Sequence, residues 1–196
     1  EIGYLFGYYK KLVNEHVGVL TGRGLTYGGS LVRTEATGYG LIYLMEEMLK
    51  EKNVTFDGKK VVISGSGNVA IYAHEKANKL GATVLAMSDS SGYIYDENGI
   101  VLETIKLIKE RNRGRISEYV KYHPTAKFVA GCKGIWTIPC DIALPCATQN
   151  ELDLASAETL VKNGVKAVGE GANMPCTIEA AVHVQNHGAQ FLSVLH

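Results

Sequence analysis

The sequence is poor in the residues that build metal sites and disulfide scaffolds. Only four of its 196 residues are cysteine and only four are proline. Cys132, Cys140, Cys146 and Cys176 include no Cys-x-x-Cys pair, and no histidine stands at zinc-finger distance from them. We therefore expect neither a zinc site nor a disulfide framework, and we interpret the cysteines as buried thiols of a cytoplasmic protein.

Long apolar runs and a charge imbalance are also missing. No stretch approaches the ~20 apolar residues that span a membrane. The sequence balances 20 Lys and Arg against 20 Asp and Glu, so its formal net charge is zero. It therefore offers no case for a nucleic acid or an anionic membrane as a partner.

Both ends of the sequence fall inside patterned segments. The chain begins at Glu1 and runs at once into apolar residues at helical spacing. It stops just after a strand-like segment over residues 190–194. We therefore expect the chain to be a piece of a longer protein.

The sequence does contain 46% hydrophobic residues and 22 glycines, enough for one domain with a sizeable core. One helix is predicted to end near Asn14, and a second runs from about Thr34 to residue 52, with a glycine-rich stretch between them. The apolar run over 61–63 is typical of a strand buried on both faces. A helix that closes at Gly81 and a strand over 83–87 complete a βαβ unit.

The rest of the chain continues this alternation. A tight turn at Asn98-Gly99 follows the apolar segment 93–95. Helices are predicted over 102–111, 155–162 and 178–187, and strands over 127–129, 142–144, 166–168 and 191–194. Alternation throughout indicates a parallel sheet with helices on both faces. We predict an α/β fold: a Rossmann-like doubly wound parallel sheet over 55–196, preceded over 1–54 by a helical segment from a domain junction.

The strongest motif is the glycine turn Gly65-x-Gly67-x-x-Ala70, between a predicted strand and a predicted helix. Gly65 permits the sharp turn, Gly67 lets backbone approach a diphosphate, and Ala70 lets the helix pack near the strand. The free N–H groups at the start of the helix would face that diphosphate. Asp89 ends the next strand about 20 positions later, as the dinucleotide-binding fingerprint requires. The alternative is a structural turn without a ligand.

The end of the second strand bears on the choice of coenzyme. Asp89 is placed to accept hydrogen bonds from the adenosine ribose hydroxyls, which favours NAD. Ser90 and Ser91 follow, and hydroxyls there are suited to the 2′-phosphate of NADP. A simple turn over 89–92 is the third interpretation, so these residues alone leave the coenzyme open.

Three further segments are candidates for the site. Thr37 lies in the first turn of its predicted helix, where a hydroxyl and free amides suit a carboxamide, although helix capping explains it as well. The loops over 144–150 and 169–175 each leave a short strand, and ligands bind at the carboxyl ends of parallel strands. The alternative is that both loops only connect secondary-structure elements and bind no ligand.

Several segments together resemble the hexameric bacterial type of glutamate dehydrogenase. They are residues 1–7 (EIGYLFG), 28–40 (GGSLVRTEATGYG), 64–70 (SGSGNVA), 88–92 (SDSSG), 145–150 (PCATQN) and 171–175 (GANMP). The resemblance extends in order over essentially the whole chain. The sister enzymes for leucine, phenylalanine and valine resemble these segments much less.

The resemblance implies the coenzyme domain of an enzyme that interconverts L-glutamate with 2-oxoglutarate and ammonia, using NADP or NAD. Within it, Ser66 to Val69 are expected at the diphosphate and Asn173 toward the nicotinamide. The run over 88–90 resembles NADP-using members and favours NADP. The coenzyme-binding positions implied are Arg33, Thr37, Gly65, Ser66, Gly67, Asn68, Val69, Asp89, Ser90, Ala147, Thr148 and Asn173.

The resemblance also implies which groups lie elsewhere. In the family, the catalytic lysine and aspartate and the lysines that hold the substrate carboxylates belong to the domain before Glu1, and a glycine-rich segment would follow His196. No catalytic residue and no metal site is expected in this chain, and the piece alone is expected to be inactive. The whole protein is expected to be a cytoplasmic homo-hexamer.

Two other functions stay open. One is a nucleotide-binding module without chemistry, and the other is a different enzyme, either another amino-acid dehydrogenase or a methyltransferase with a nucleoside cofactor. A methyltransferase would share the glycine turn and the acidic residue, but it would not explain the remaining segments.

Overall fold

The structure is a computed structural model that describes residues 1–15, 20–30 and 34–193. The chain divides into two compact units, residues 1–34 and 35–196. The boundary suggested by the sequence, after residue 54, falls inside the second unit, because the helix over Ala36–Lys50 packs against the helix over Asn68–Lys79. Arg33 lies outside the described residues.

The first unit consists of one helix and a short turn. Helix α1 (Ile2–Val13) is followed by its C-cap Asn14, whose φ of 54° is left-handed. This confirms the prediction of a helix end near Asn14. The ring of Tyr27, in the 3₁₀ turn Leu25–Tyr27, lies so close to Gly3 that a Cβ there would come within 2.5 Å of it. The exposed apolar side chains of α1 are Ile2, Tyr4, Leu5, Tyr8, Tyr9, Leu12 and Val13.

The second unit contains seven strands and six α-helices among its described residues. The helices are α2 (Ala36–Lys50), α3 (Asn68–Lys79), α4 (Leu102–Lys106), α5 (Tyr119–Tyr122), α6 (Leu154–Lys162) and α7 (Ile178–Asn186). The strands are β1 (Lys60–Ile63), β2 (Thr83–Asp89), β3 (Gly92–Tyr95), β4 (Lys127–Ala130), β5 (Ile142–Leu144), β6 (Ala167–Gly169) and β7 (Gln190–Leu192). In the described part of the chain, no helix is long and apolar enough to cross a membrane.

The strands form one sheet in the order β4-β3-β2-β1-β5-β6-β7. β1 pairs in parallel with both β2 and β5, and β6 and β7 extend the parallel pairing beyond β5. The chain thus builds outward from β1 on one side, returns to the middle at β5 and builds outward on the other side. This order confirms the predicted Rossmann-like doubly wound α/β fold.

The edge next to β2 departs from the predicted alternation of strands and helices. β3 pairs antiparallel with β2 and with β4. Only Ser90 and Ser91 separate β2 from β3, and so short a connection closes a hairpin and cannot carry a crossover helix. The segment 93–95 is therefore a strand, and the alternation predicted throughout the chain is wrong at this edge.

Two apolar clusters cover the two faces of the sheet. Val61 and Ile63 of β1 belong to the cluster with α2, α3 and α4, whereas Val62 belongs to the cluster with α6 and α7. Successive residues of a strand point to opposite faces, so a strand covered on both sides reads as an unbroken apolar run. The prediction of a doubly buried strand and of helices on both faces is confirmed.

Candidate functional site

The candidate site lies where the winding of the sheet reverses, between β1 and β5. Loops that leave two neighbouring parallel strands in opposite directions open a crevice at the carboxyl ends of those strands, and open α/β sheets bind ligands there. The turn after β1, the end of β2, and the loops after β5 and β6 all meet at this edge.

Gly65 is the residue that makes the turn after β1 possible. Its φ is +83°, and a Cβ there would lie 3.1 Å from the carbonyl oxygen of Cys146. Its N–H donates to the hydroxyl of buried Ser88 on β2, at 2.8 Å. A larger residue would be strained in conformation and crowded against the β5 loop, so glycine is required here.

Gly67 stands at the start of α3 under a different constraint. Its backbone is extended, with φ −86°, and a Cβ there would meet no atom within 4 Å. Gly67 and Asn68 are exposed, and no side chain caps the start of α3 in the described residues. The free N–H groups and the positive end of this helix therefore face the crevice.

Hydrogen bonds hold the loops after β5 and β6 against one another. Gly171 and Ala172 donate their N–H groups to the carbonyl of Pro145, at 2.9 and 3.1 Å, and Asn150 donates to the carbonyl of Met174 at 3.0 Å. Gly171 also packs where a Cβ would contact Cys146, Leu41 and Val69. The exposed residues brought to one edge with the glycine turn are Ala147, Thr148 and Asn173.

Thr37 reaches the same neighbourhood through the packing of α2. The next residue, Gly38, lies so close to α3 that a Cβ would approach the N–H of Ala73 within 2.6 Å and the carbonyl of Val69 within 2.7 Å. The first turn of α2, with exposed Thr37, therefore lies beside the first turns of α3.

The carboxylate of Asp89 is already fully hydrogen-bonded within the chain. Oδ1 accepts from the N–H of Ser91 at 2.8 Å and from its hydroxyl at 2.5 Å. Oδ2 accepts from the N–H of Ile116 at 2.9 Å and from Lys109 at 3.3 Å. Burial disfavours the charged form, but these hydrogen bonds outweigh it and hold the pKa of Asp89 below its usual value.

Within the described residues, the hydroxyl of Ser90 does not take part in the hydrogen bonds of Asp89. It accepts a 2.7 Å hydrogen bond from the guanidinium of exposed Arg115. Ser90, Arg115 and Lys109 thus place a hydroxyl and two cations at the carboxyl end of β2. Sequence reasoning missed both cations, because they lie more than a dozen residues beyond the motif and the segment after α4 that carries them has no distinctive spacing.

The thiols follow the prediction at three of four positions. Cys140, Cys146 and Cys176 are buried, and burial raises the pKa of Cys140 to about 12 and raises those of the other two as well. Cys132 is exposed, so the prediction of a buried thiol is wrong there. It follows β4 at the edge of the sheet and is the N-cap residue of the 3₁₀ helix Lys133–Thr137. No group of three or more potential metal ligands is found among the described residues.

The sequence model of the Glutamate/Leucine/Phenylalanine/Valine dehydrogenase family matches residues 28–194. The chain belongs to this family. The resemblance noted in the sequence is thereby confirmed, and the match begins at Gly28, the first residue of the segment that contains Thr37.

Individual relatives agree with this assignment. An NADP-specific glutamate dehydrogenase from Helicobacter pylori is 58% identical over 92% of this chain and 42% of that protein. An NAD(P)-specific glutamate dehydrogenase from Xylanibacter ruminicola is 52% identical over 94% of this chain and 41% of that protein. The crystal structure of Plasmodium falciparum glutamate dehydrogenase matches with a TM-score of 0.85 at 46% identity, over 97% of this chain and 41% of that one. The chain thus spans about two fifths of the length of these relatives.

Proposed function

We propose that the chain is the NADP-binding part of a glutamate dehydrogenase, which oxidatively deaminates L-glutamate to 2-oxoglutarate and ammonia and runs the reverse reaction. The observation that carries the proposal is the glycine turn at the reversal point of the sheet, in a member of a dehydrogenase family. The family also contains enzymes for leucine, phenylalanine and valine. Identities of 52–58% to proteins named glutamate dehydrogenase favour glutamate among these substrates.

The residues at the turn fit the diphosphate of a dinucleotide. The open space at Gly67 and the uncapped start of α3 are what close approach of an anion needs. The segment Gly65, Ser66, Gly67, Asn68 and Val69 would hold this group. When bound, the coenzyme supplies hydride acceptance and donation, and the chain supplies its binding and orientation.

The other predicted positions complete the proposed coenzyme site. Thr37, Ala147 and Thr148 would line its path from the diphosphate, and Asn173 would approach the nicotinamide end. Arg33 stays a prediction from the resemblance, because it lies outside the described residues.

The end of β2 supports NADP over NAD. Asp89 would have to give up hydrogen bonds to Ser91, Ile116 or Lys109 before it could accept any from ribose hydroxyls. The hydroxyl of Ser90 and the guanidinium of Arg115 instead offer a donor and a cation that suit a 2′-phosphate.

We also propose that the whole protein is a cytoplasmic homo-hexamer. The family resemblance supports the hexamer, and the exposed apolar side chains of α1 supply surface that other protein could cover. Four cysteines without a disulfide suit a reducing compartment.

Titration of the chain with NADPH and with NADH tests the proposal, with coenzyme fluorescence as the readout. We expect tighter binding of NADPH. Arg115→Ala should weaken NADPH about tenfold or more and leave NADH unchanged, because a charge-assisted hydrogen bond is worth roughly 1.5–3 kcal/mol. Arg111→Ala removes the same charge from another exposed residue and serves as the control.

Gly67→Val provides the second arm of the same experiment. The side chain enters open space, so the fold should persist, whereas the diphosphate would lose its approach. Unchanged NADPH affinity in a variant with native circular dichroism would contradict the placement of the diphosphate. Equal affinity for both coenzymes, unaffected by Arg115→Ala, would contradict the preference for NADP.

A further inference from the structure

Glu151 lies just beyond the loop that follows β5, and its carboxylate binds backbone of that loop. Oε1 accepts from the N–H of Ala147 at 2.9 Å and from the N–H of Thr148 at 3.3 Å. Among the described residues, this carboxylate is the hydrogen-bond acceptor for both of these N–H groups. The carboxylate therefore fixes the course of the loop.

A serine of the turn after β1 lies beside the same carboxyl group. The hydroxyl of buried Ser64 favours the charged form of Glu151 and lowers its pKa, and it accepts the N–H of Cys146 at 2.9 Å. The N–H of Ser64 in turn donates to the carbonyl of Leu144 at 3.1 Å. Ser64 immediately precedes Gly65, so one network joins the glycine turn to the loop after β5.

We infer that Glu151 is a positioning residue for the coenzyme: it locks the loop at Ala147 and Thr148 against the glycine turn, so that both sides of the crevice are set before the dinucleotide enters. This inference rests on the proposed function for its ligand. Preorganisation of this kind improves affinity because the loop need not be ordered on binding.

Among the groups that face one another around Glu151, its carboxylate is the one whose charge changes with pH. The groups that face it have no charge at or below neutral pH. They are the hydroxyl of Ser64 and the thiols of Cys146 and Cys176. Burial raises the pKa of both thiols, so both stay neutral at and below neutral pH. Burial also raises the pKa of Glu151, although the N–H and hydroxyl donors partly oppose it. Acidification should therefore weaken the lock by protonating this carboxylate.

Amide hydrogen exchange of the chain without ligand tests the lock directly. In Glu151→Ala, exchange at Ala147 and Thr148 should rise, while exchange in the core strand β1 stays as in the wild type. Glu158→Ala is the matched control, because Glu158 is an exposed carboxylate on α6. Unchanged exchange at the two loop amides would overturn the lock.

NADPH affinity, measured by fluorescence, tests the positioning role. Glu151→Ala should weaken binding about tenfold and Glu158→Ala not at all. Glu151→Gln keeps an acceptor without the charge, and it should bind about threefold more weakly than wild type at pH 7.5, with the difference narrowing as the pH falls and the wild-type carboxylate takes up a proton. Titration of the ligand's own phosphate is common to both proteins and cancels in their ratio.

Each outcome decides between the claims. Faster loop exchange with unchanged NADPH affinity in Glu151→Ala would overturn the positioning role and leave the lock as local structure. A constant ratio of Glu151→Gln to wild-type affinity across pH would overturn the role of the charge. Failure of the wild-type chain to bind NADPH would contradict the proposed function, and the positioning role would fall with it, whereas the exchange result would still decide the lock.

Discussion

His74 is a titratable side chain that the sheet and helices bury completely. It lies on α3 with Nδ1 3.3 Å from the sulfur of Met87, and Nε2 has no hydrogen-bond partner among the described residues. Burial lowers the pKa of His74 to about 4; the backbone of Ile100 opposes this shift and the charge of Lys106 adds to it. The imidazole is therefore neutral in the folded protein at neutral pH, and it packs as part of the core.

This burial predicts a loss of stability in mild acid. Between pH 6.5 and about 4, His74 is protonated in the unfolded chain but stays neutral in the folded chain. The free energy of unfolding therefore falls as the pH falls through that range. The full loss should reach about 3 kcal/mol. Urea unfolding at pH 4.5, 5.5, 6.5 and 7.5 would measure it, and His74→Leu should flatten the dependence.

The comparison with His74→Leu separates the imidazole from the carboxylates, because both proteins share them, including Glu151 with its raised pKa. Hydrogen bonds from Lys106, Lys79 and Tyr39 lower the pKa of Glu75 to about 2, and those from Lys133 and Ser156 lower that of Asp153 to about 2. Their contributions are lost mainly as the pH falls below the ordinary carboxyl pKa of about 4, at the lower end of the range in which His74 acts. An equal pH dependence in wild type and His74→Leu would show that the imidazole is not the responsible group.

At the residue scale, some residues of the candidate site can be predicted from the sequence and others cannot. Gly65 and Gly67 follow from a motif whose two glycines have separate steric roles, and each role matches an observed contact or an observed open space. Arg115 and Glu151 could not be predicted, because Arg115 acts through a contact with Ser90, 25 residues away, and Glu151 binds backbone N–H groups of a loop that carries no motif of its own. A lone Arg or Glu in a loop has no periodicity that distinguishes it from a solvated charge.

At the scale of elements, two glycines of α2 offer a matched comparison. A Cβ at Gly38 would meet backbone atoms of α3 at 2.6 and 2.7 Å, whereas a Cβ at Gly40 would meet nothing within 4 Å. Both residues are helical, so alanine has the same intrinsic helix preference at each. Any difference between the two substitutions therefore reports the packing of α2 on α3.

We predict opposite effects of the two alanines. Gly38→Ala should lower the free energy of unfolding by about 1–3 kcal/mol, because backbone of α3 cannot move aside as a flexible side chain could. Gly40→Ala should raise it by roughly 0.5–1 kcal/mol. Denaturant unfolding of the two variants beside the wild type gives both values. A stabilised Gly38→Ala would mean that the two helices are not in such close contact.

Most elements of the second unit could be predicted from hydrophobic period and turn signals, and the exceptions have local causes. The hairpin of β2 and β3 was missed because Tyr93, Ile94 and Tyr95 stand before the conspicuous Asn98-Gly99 pair, while the true reversal uses Ser90 and Ser91. The predicted helix over 102–111 is α4 continued by the π-helical turn Leu107–Arg111. Such a turn shifts side-chain direction without changing composition.

At the scale of the whole molecule, the chain corresponds to about two fifths of the length of its relatives. In the proposed function it supplies the coenzyme side of the site. Hydride transfer between a coenzyme and glutamate needs more than a bound dinucleotide. The substrate carbon must be held close to the nicotinamide, and a general acid–base pair must make and break the imine. The family resemblance implies that the groups for both tasks are to be expected in another part of the whole protein, before Glu1.

We therefore predict that the 196-residue chain binds NADPH but does not oxidise glutamate. Binding should be weak, because segments that meet a second domain in the whole protein must be ordered without its contacts. The assay is glutamate-dependent formation of NADPH, followed by absorbance, with NADP and separately with NAD. The control is Gly67→Val, which should abolish any coenzyme-dependent signal. Turnover that rises in proportion to chain concentration and disappears in Gly67→Val would show that the chemistry resides in these residues and that its assignment to the other part of the protein is wrong.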